Sequence, residues 1–122
     1  MDNVETLYPL TPMQHGMLLH ALQSARPGEY VEQVGWTFHG DHDPGAFERA
    51  WRLALARHPA LRTSFFWEGM DEPVQVVRRD VRVPVERHDW RGATPEEAEE
   101  RLRALAESER GRGFDLSAAP LL

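Results

Sequence analysis

The stretch from Trp51 to Phe66, WRLALARHPALRTSFF, constrains the fold of this chain more than any other. Its apolar side chains recur, as far as His58, at the spacing of a helix that buries one face. Pro59 cannot continue that helix because it lacks a backbone N–H, and the following residues, Leu61 to Phe66, turn extended and aromatic. The stretch therefore predicts a helix, an abrupt helix end and the start of a strand, which together frame a small domain.

Composition excludes several classes of protein. The chain has 122 residues, enough for about one domain, and no cysteine, which excludes disulfides and thiolate metal ligands. A net charge of −6, from 20 acidic and 14 basic residues, argues against a nucleic-acid-binding surface. No apolar run approaches the roughly 18 residues of a membrane span, and the acidic start is unlike a secretory signal. We therefore expect a cytoplasmic protein without a targeting segment.

Three helices are predicted, because a capping residue precedes a proline at three places. These pairs are Thr11-Pro12, Asp43-Pro44 and Thr94-Pro95, and Gln14 and Glu97 complete capping boxes in the first and third. Arg26-Pro27-Gly28 predicts the end of the first helix. Helical spacing predicts three buried stripes: Met17, Leu18, Ala21, Leu22 and Ala25; Phe47, Ala50, Trp51, Ala54, Leu55 and His58; Ala98, Leu102, Leu105 and Ala106.

Extended segments separate these helices. The predicted strands are Tyr30–His39, Thr63–Trp67, Val74–Arg78 and Val81–Val85, with a further extended stretch at residues 7–12. The second and third of these strands predict a hairpin with a longer loop, and Pro84 places the last strand at a sheet edge. We therefore predict an α+β domain, an α/β sandwich of about three helices and four to five strands, without internal repeats.

A few polar residues are candidates for a site. Gln14 and His15 fall among the apolar residues of the first helix, where a buried polar group needs a partner. The segment from His39 to Asp43 holds potential metal ligands, but Asp43 is already assigned as a helix cap, so we expect no metal site. His58 is interpreted as a structural residue at a helix end. The charged third helix is interpreted as a solvated face rather than a docking surface.

Two segments resemble the core motifs of one family. LYPLTPMQHGMLLH resembles the first motif of the condensation domains of nonribosomal peptide synthetases, and RHPALRTSF resembles their second. The segments QVGWTFHGDHDPGAFERAWRLALARH, FFWEGMDEPVQVV and GFDLSAAPLL are also similar to that family, in the same order. The resemblance implies the chloramphenicol-acetyltransferase-like fold, two lobes with a tunnel between them. Residues 1–122 are then expected to form part of the N-terminal lobe.

The resemblance also implies a reaction. In that family, phosphopantetheine arms of two carrier proteins enter the tunnel, and an amine on one attacks a thioester on the other to form an amide. A His-His-x-x-x-Asp-Gly motif supplies the histidine that orients or deprotonates the amine. This chain contains six histidines but no adjacent pair, so we expect no catalytic residue in it and no activity from these 122 residues alone. We also expect it to bind no cofactor directly, since the phosphopantetheine belongs to the partner carriers.

Four residues receive roles by this resemblance. Arg62, the second arginine of RHPALRTSF, pairs in the family with the aspartate of the missing motif. Without that aspartate, Arg62 must find another carboxylate or remain solvated, because a buried unpaired guanidinium is costly. His58 is expected to support the same region. Gln14 and His15 either line the mouth of the tunnel or satisfy the core, and both interpretations stay open.

Three hypotheses follow for the chain. It is the N-terminal part of a catalytic condensation domain, a naturally truncated docking or interaction module of a synthetase, or another carrier-dependent acyltransferase of this fold, of the epimerisation or ester-forming type. An Arg62 in water favours the first hypothesis, whereas a new carboxylate partner favours the second. Expected partners are carrier proteins and adjacent synthetase domains. A lobe without its later strands is also expected to expose a sheet edge and apolar surface, through which it self-associates.

Overall fold

The computed structural model describes residues 3–24 and 29–122 as a mixed arrangement of helices and one sheet. Its elements, in chain order, are β1 (Val4–Pro9), α1 (Pro12–Gln23), α2 (Pro44–Arg57), a 3₁₀ helix (Pro59–Arg62), β2 (Thr63–Phe66), β3 (Val74–Arg78) and α3 (Pro95–Arg112). The α+β class and the three helices are confirmed. Within the described ranges the sheet has three strands rather than four to five. The predicted end of the first helix, at residues 26–28, lies outside the described residues.

All three helices begin where their capping residues predict. The hydroxyl of Thr11 accepts a hydrogen bond from the backbone N–H of Gln14 at 3.2 Å, and the Gln14 side chain accepts one from the Thr11 N–H at 2.9 Å. Thr94 and Glu97 form the same capping box on α3. On α2, the carboxylate of Asp43 accepts from the N–H of Gly45 at 2.8 Å. Short-range signals therefore position each helix start correctly.

The sheet has the strand order β1-β3-β2, with both neighbouring pairs antiparallel. The predicted hairpin is confirmed as β2 and β3, in which Phe66 lies opposite Val74. β1 joins the far side of β3, so β3 lies at the centre of the sheet. The N–H of Phe65 donates to the carbonyl of Leu116 at 2.8 Å, which partly covers the outer edge of β2. No strand within the described ranges covers the outer edge of β1.

Two predicted strands are wrong. Tyr30–His39 and Val81–Val85 contain no residue in a strand ladder. The alternating pattern of Val34, Trp36 and Phe38 is typical of a strand, yet these side chains are 68%, 64% and 63% exposed. A strand is stable only when its N–H and C=O groups pair with a neighbouring strand, and the described part of the chain provides none beside either segment.

The apolar core is small and lies between α2, the 3₁₀ helix and the sheet, with one contribution from α1. Its buried apolar residues are Leu18, Leu55, Val76 and Val77. The predicted stripes are therefore only partly correct: Met17, Leu22, Phe47 and Leu102 are each at least 40% exposed. His58 also lies at the surface rather than on a buried face. Helical spacing identifies the apolar face of a helix, but it does not show whether another layer covers that face.

Candidate functional site

Arg62 is the buried charge at the centre of the described structure. It is the last residue of the 3₁₀ helix and only 5% exposed. Its Nε donates to the carbonyl of Leu55 at 2.8 Å, which joins it to the end of α2. Its Nη1 donates to Glu5 Oε2 at 2.7 Å and also contacts the carbonyl of Arg78. One guanidinium therefore links α2, β1 and β3.

Glu5 reaches Arg62 because β1 is irregular at that point. The register between β1 and β3 shifts between Val4 and Thr6, so Glu5 has no partner residue in the ladder. An extra residue of this kind redirects a side chain out of the regular alternation. The Glu5 side chain is 40% exposed, whereas that of Arg62 is 7% exposed, so the ion pair connects a buried cation with a carboxylate in contact with water. Of the two outcomes expected for Arg62, a new carboxylate partner or exposure to water, the structure shows the first, and the partner is Glu5.

The Nη2 end of the same guanidinium has no hydrogen-bond partner in the described part of the chain. Within residues 3–24 and 29–122, Nη2 of Arg62 makes no hydrogen bond, while Nε and Nη1 make all those observed. Guanidinium groups bind carboxylates best in a two-pronged arrangement that uses both of their ends. The arrangement around Arg62 can therefore accept a second anionic or carbonyl oxygen without losing its contacts to Glu5 and Leu55.

His58 ends α2 through its backbone rather than through its ring. Its N–H donates to the carbonyl of Ala54 at 2.9 Å, and its own carbonyl accepts from the N–H of Leu61 at 3.0 Å. The imidazole is exposed. The turn that delivers Arg62 into the core is thus fixed by backbone hydrogen bonds on both sides of His58.

Gln14 and His15 have different surroundings. The half-buried side chain of Gln14 pairs with that of Gln75 through hydrogen bonds of 3.1 Å in both directions. Gln75 also donates to the carbonyl of Pro9 at 3.0 Å, so this amide pair attaches α1 to β3. His15 is exposed and lines neither of the cavities near the pair. The structure brings Gln14 to a cavity and leaves His15 outside it.

A mostly apolar groove of about 800 Å³ lies beside Gln14. Its walls include several large apolar side chains: Met17, Leu18, Trp36, Phe47, Trp51 and Phe65. The groove is open to solvent, which explains why many of these residues are exposed. Its size and lining suit an extended ligand with apolar segments.

The turn from His39 to Asp43 has no arrangement for a metal. Among the described residues, no three His, Asp or Glu side chains lie close enough together to hold a metal ion. A hydrogen bond from Arg49 at 3.0 Å is the largest influence that holds the pKa of Asp43 below its usual value, followed by those from Gly45 and Ala46. Its carboxylate is therefore engaged as a helix cap. None of the described helices is long and apolar enough to cross a membrane.

Sequence reasoning missed two residues of this site. Nothing in the sequence indicates a bulge in β1, so the pairing of Glu5 with Arg62 was not foreseeable from spacing. Gln75 did carry a signal, because it is the polar residue within the strand VQVVR. An amide at that position needs a partner when it is half buried, and its partner is Gln14.

Comparison with known proteins identifies the family. The family model of the condensation domain matches residues 4–122. Two subunits of the linear gramicidin synthase of Brevibacillus parabrevis are 44% and 45% identical over 120 and 118 residues, covering 98% and 97% of this chain. Bacitracin synthase 3 of Bacillus licheniformis is 35% identical over 119 residues, or 98% of this chain. The chain spans about 2% of the length of each of these three relatives. It belongs to the condensation domain family, which its two sequence motifs resemble.

Proposed function

We propose that this chain is part of a nonribosomal peptide synthetase condensation domain, which forms amide bonds between aminoacyl or peptidyl thioesters held on carrier proteins. The chain supplies part of the N-terminal lobe of that domain. Because it has no His-His-x-x-x-Asp-Gly motif, the catalytic histidine comes from outside these 122 residues, and the chain alone is inactive. The family match over residues 4–122 supports this proposal, as do relatives named as gramicidin and bacitracin synthases.

The guanidinium of Arg62 is the observation that carries the proposal. It is buried and held in place through Nε and Nη1, while Nη2 has no partner in the described part of the chain. An aspartate that follows a catalytic histidine would supply the oxygen that Nη2 lacks and give Arg62 a second charge-assisted hydrogen bond. Arg62 then acts as a positioning residue, which fixes the loop that carries the histidine.

The apolar groove is the part of the chain that would receive the carrier-bound substrates. Its volume of about 800 Å³ and its apolar lining suit the phosphopantetheine arms of carrier proteins. Those arms belong to the partners, so the chain itself binds no cofactor permanently. The proposed partners are therefore peptidyl and aminoacyl carrier proteins together with adjacent synthetase domains.

A chimeric protein tests this function. Residues 4–122 would replace the matching segment in a condensation domain of the linear gramicidin synthase of Brevibacillus parabrevis, in the region that is 44% identical. With carrier-bound donor and acceptor substrates, the chimera should form the amide product, and the 122-residue chain alone should not. Product formation is measured by mass spectrometry after release from the carrier.

Two variants of the chimera, each with one arginine replaced by lysine, refine the same test. In the chimera, Arg62→Lys should lower the rate about tenfold or more, because the donors of an ammonium lie on one nitrogen and cannot reach acceptors that a guanidinium meets through Nε, Nη1 and Nη2. Arg101→Lys changes an exposed arginine on α3, outside both core motifs, and should leave the rate unchanged. Equal rates for both variants would contradict the role of Arg62. An ester product from a hydroxyl acceptor would instead favour the ester-forming type of acyltransferase.

A second candidate is a docking module without catalysis, and the Glu5–Arg62 pair favours it. That pair gives Arg62 a carboxylate from within the described chain. In this case the isolated chain should bind a carrier protein, and Arg62→Lys should not affect that binding. Carrier binding is measured by calorimetric titration of the isolated chain. Binding together with an inactive chimera would favour the docking module, whereas an active chimera would favour the condensation domain.

A further inference from the structure

A second, smaller cavity borders the paired amides of Gln14 and Gln75. Its volume is about 200 Å³, and its other walls are mostly apolar, including Ala60, Leu61 and Phe65. Thr63 also lines it, but its hydroxyl already donates to the carbonyl of Pro59 at 3.0 Å. The two amides are therefore the main polar groups available to a ligand in this cavity.

The backbone fixes the orientation of both amides. The N–H of Thr11 donates to Gln14 at 2.9 Å, so the atom that receives it must be the Gln14 oxygen Oε1. The carbonyl of Pro9 accepts from Gln75 at 3.0 Å, so the donor must be the Gln75 nitrogen Nε2. Flipping either amide would place two donors or two acceptors against each other.

The paired amides of Gln14 and Gln75 keep part of their hydrogen-bonding capacity. Gln14 Oε1 accepts from Thr11 and from Gln75, and Gln75 Nε2 donates to Pro9 and to Gln14, so both atoms are saturated. Within residues 3–24 and 29–122, Gln14 Nε2 makes one hydrogen bond, to Gln75 Oε1, so one N–H of Gln14 and one lone pair of Gln75 are unused. Gln14 Nε2 and Gln75 Oε1 are 3.1 Å apart. Because carboxamides are planar, the unused donor and acceptor lie side by side, on the edge opposite Pro9 and Thr11.

We infer that this edge binds a primary carboxamide on a short aliphatic stem, with the stem in the small cavity. A primary amide presents its C=O and one N–H on the same edge, so it accepts from Gln14 Nε2 and donates to Gln75 Oε1 at once. A trans secondary amide directs its N–H and C=O to opposite sides and makes only one of these bonds. The apolar walls formed by Ala60, Leu61 and Phe65 suit the methylene groups of the stem.

This site requires no thioester and no histidine, so it goes beyond the proposed function. One step does rest on that function: in a peptide-forming domain, the groups of this chemistry are the side chains of asparagine and glutamine. The site would then distinguish carboxamide side chains from purely aliphatic ones of the same length, because an aliphatic group leaves the donor and the acceptor of Gln14 and Gln75 unpaired.

Butyramide is the probe for this inference. It would be titrated into the ¹⁵N-labelled 122-residue chain while the side-chain amide signals of Gln14 and Gln75 are followed by NMR. N,N-dimethylbutyramide has the same stem and carbonyl but no N–H, and it should bind about tenfold more weakly, the cost of one lost hydrogen bond. Equal affinity for the two probes would overturn the inference, as would butyramide binding that leaves both amide signals unmoved.

A double variant provides a second measurement. Gln14→Met with Gln75→Met removes both amides at similar side-chain length and should abolish the preference for butyramide. Gln23→Met is the matched control, since it makes the same change at an exposed position of α1 and should keep the preference. If the double variant fails to fold, the two probes on the unmodified chain still decide the outcome.

The carboxamide site and the proposed function can be refuted independently of each other. An unmodified chain without any preference for butyramide, together with an active chimera, would refute this site alone. A clear preference for butyramide, together with an inactive chimera, would refute the proposed function alone.

Discussion

The sheet around Arg62 and the groove beside α1 are both built from apolar sequence, but they reach opposite degrees of burial. On the sheet side, Leu55, Val76 and Arg62 are 5% exposed or less. On the groove side, Val34 and Trp36 are 68% and 64% exposed. The difference comes from neighbours rather than from composition, because the sheet side has both a strand ladder and a helix packed on it.

The two regions also differ in how their polar groups are satisfied. Around Arg62, a cation, a carboxylate and backbone carbonyls meet within a single network. Residues 31–39 form neither a helix nor a strand ladder, and apolar side chains such as Val34 and Trp36 are exposed there. A segment with exposed apolar side chains and no strand partner favours association with another strand or layer. We therefore expect the sheet side to determine stability and the groove side to determine interactions.

Leu55→Ala should give the largest effect in this comparison. Leu55 is 2% exposed, so truncation of its side chain should leave a cavity and lower the free energy of unfolding by about 2–5 kcal/mol. Leu53→Ala makes the same change on the same helix at a residue that is 72% exposed, and should cost about 0.5 kcal/mol or less. Urea denaturation measures both. Equal losses would mean that the sheet side is not the core.

Trp36→Glu should change association more than stability. Its side chain is 64% exposed, so the free energy of unfolding should change by about 0.5 kcal/mol or less. Adding a charge to the apolar groove should shift the chain towards monomer, as measured by size-exclusion chromatography with light scattering. Thr37→Glu places the same charge on the neighbouring exposed residue and should have the smaller effect. An unmodified chain that stays monomeric over a wide concentration range would contradict self-association.

Asp89→Asn should give the smallest effect, and only in acid. Hydrogen bonds from the Arg91 side chain, and then from its backbone N–H, lower the pKa of Asp89 from 3.8 to about 2. A lowered pKa in the folded state stabilises the fold at pH values above 3.8, and that contribution is lost as the pH falls through about 2. The pair is exposed, so the contribution is small.

Thermal unfolding midpoints measured across this acid range provide the check. Asp89→Asn should make the midpoint depend slightly less on pH than it does in the unmodified chain. Asp71→Asn, at another exposed aspartate, serves as the control for removing a negative charge. A larger change for Asp71→Asn than for Asp89→Asn would contradict the role of Arg91.

Local signals in the sequence predicted the helices and the hairpin. Caps such as Thr11 and Thr94 act within one helical turn, so the residues that define them are close together in the chain. Proline at position 59 likewise ends α2 within two residues. The family, too, followed from contiguous motifs and is confirmed by the match over residues 4–122.

Features that depend on distant parts of the chain were not predictable in this way. The partner of Arg62 is Glu5, 57 positions away, and it depends on a bulge that no residue type announces. The failed strand at Tyr30–His39 has the correct alternation, but pairing requires a neighbour that the pattern does not specify. Gln14 was identified as a polar group in need of a partner, and its partner Gln75 lies 61 positions away.

The central position of β3 has a consequence for synthesis of the chain. Val4 in β1 lies opposite Arg78 in β3, so the first strand can join the sheet only after more than half of these residues have left the ribosome. Until then, the segments before β3 can form only their own helices and turns, which close short loops at small entropic cost. The ion pair of Glu5 with Arg62 then forms as β1 docks on β3. Folding of this lobe should therefore be a late and cooperative event during translation.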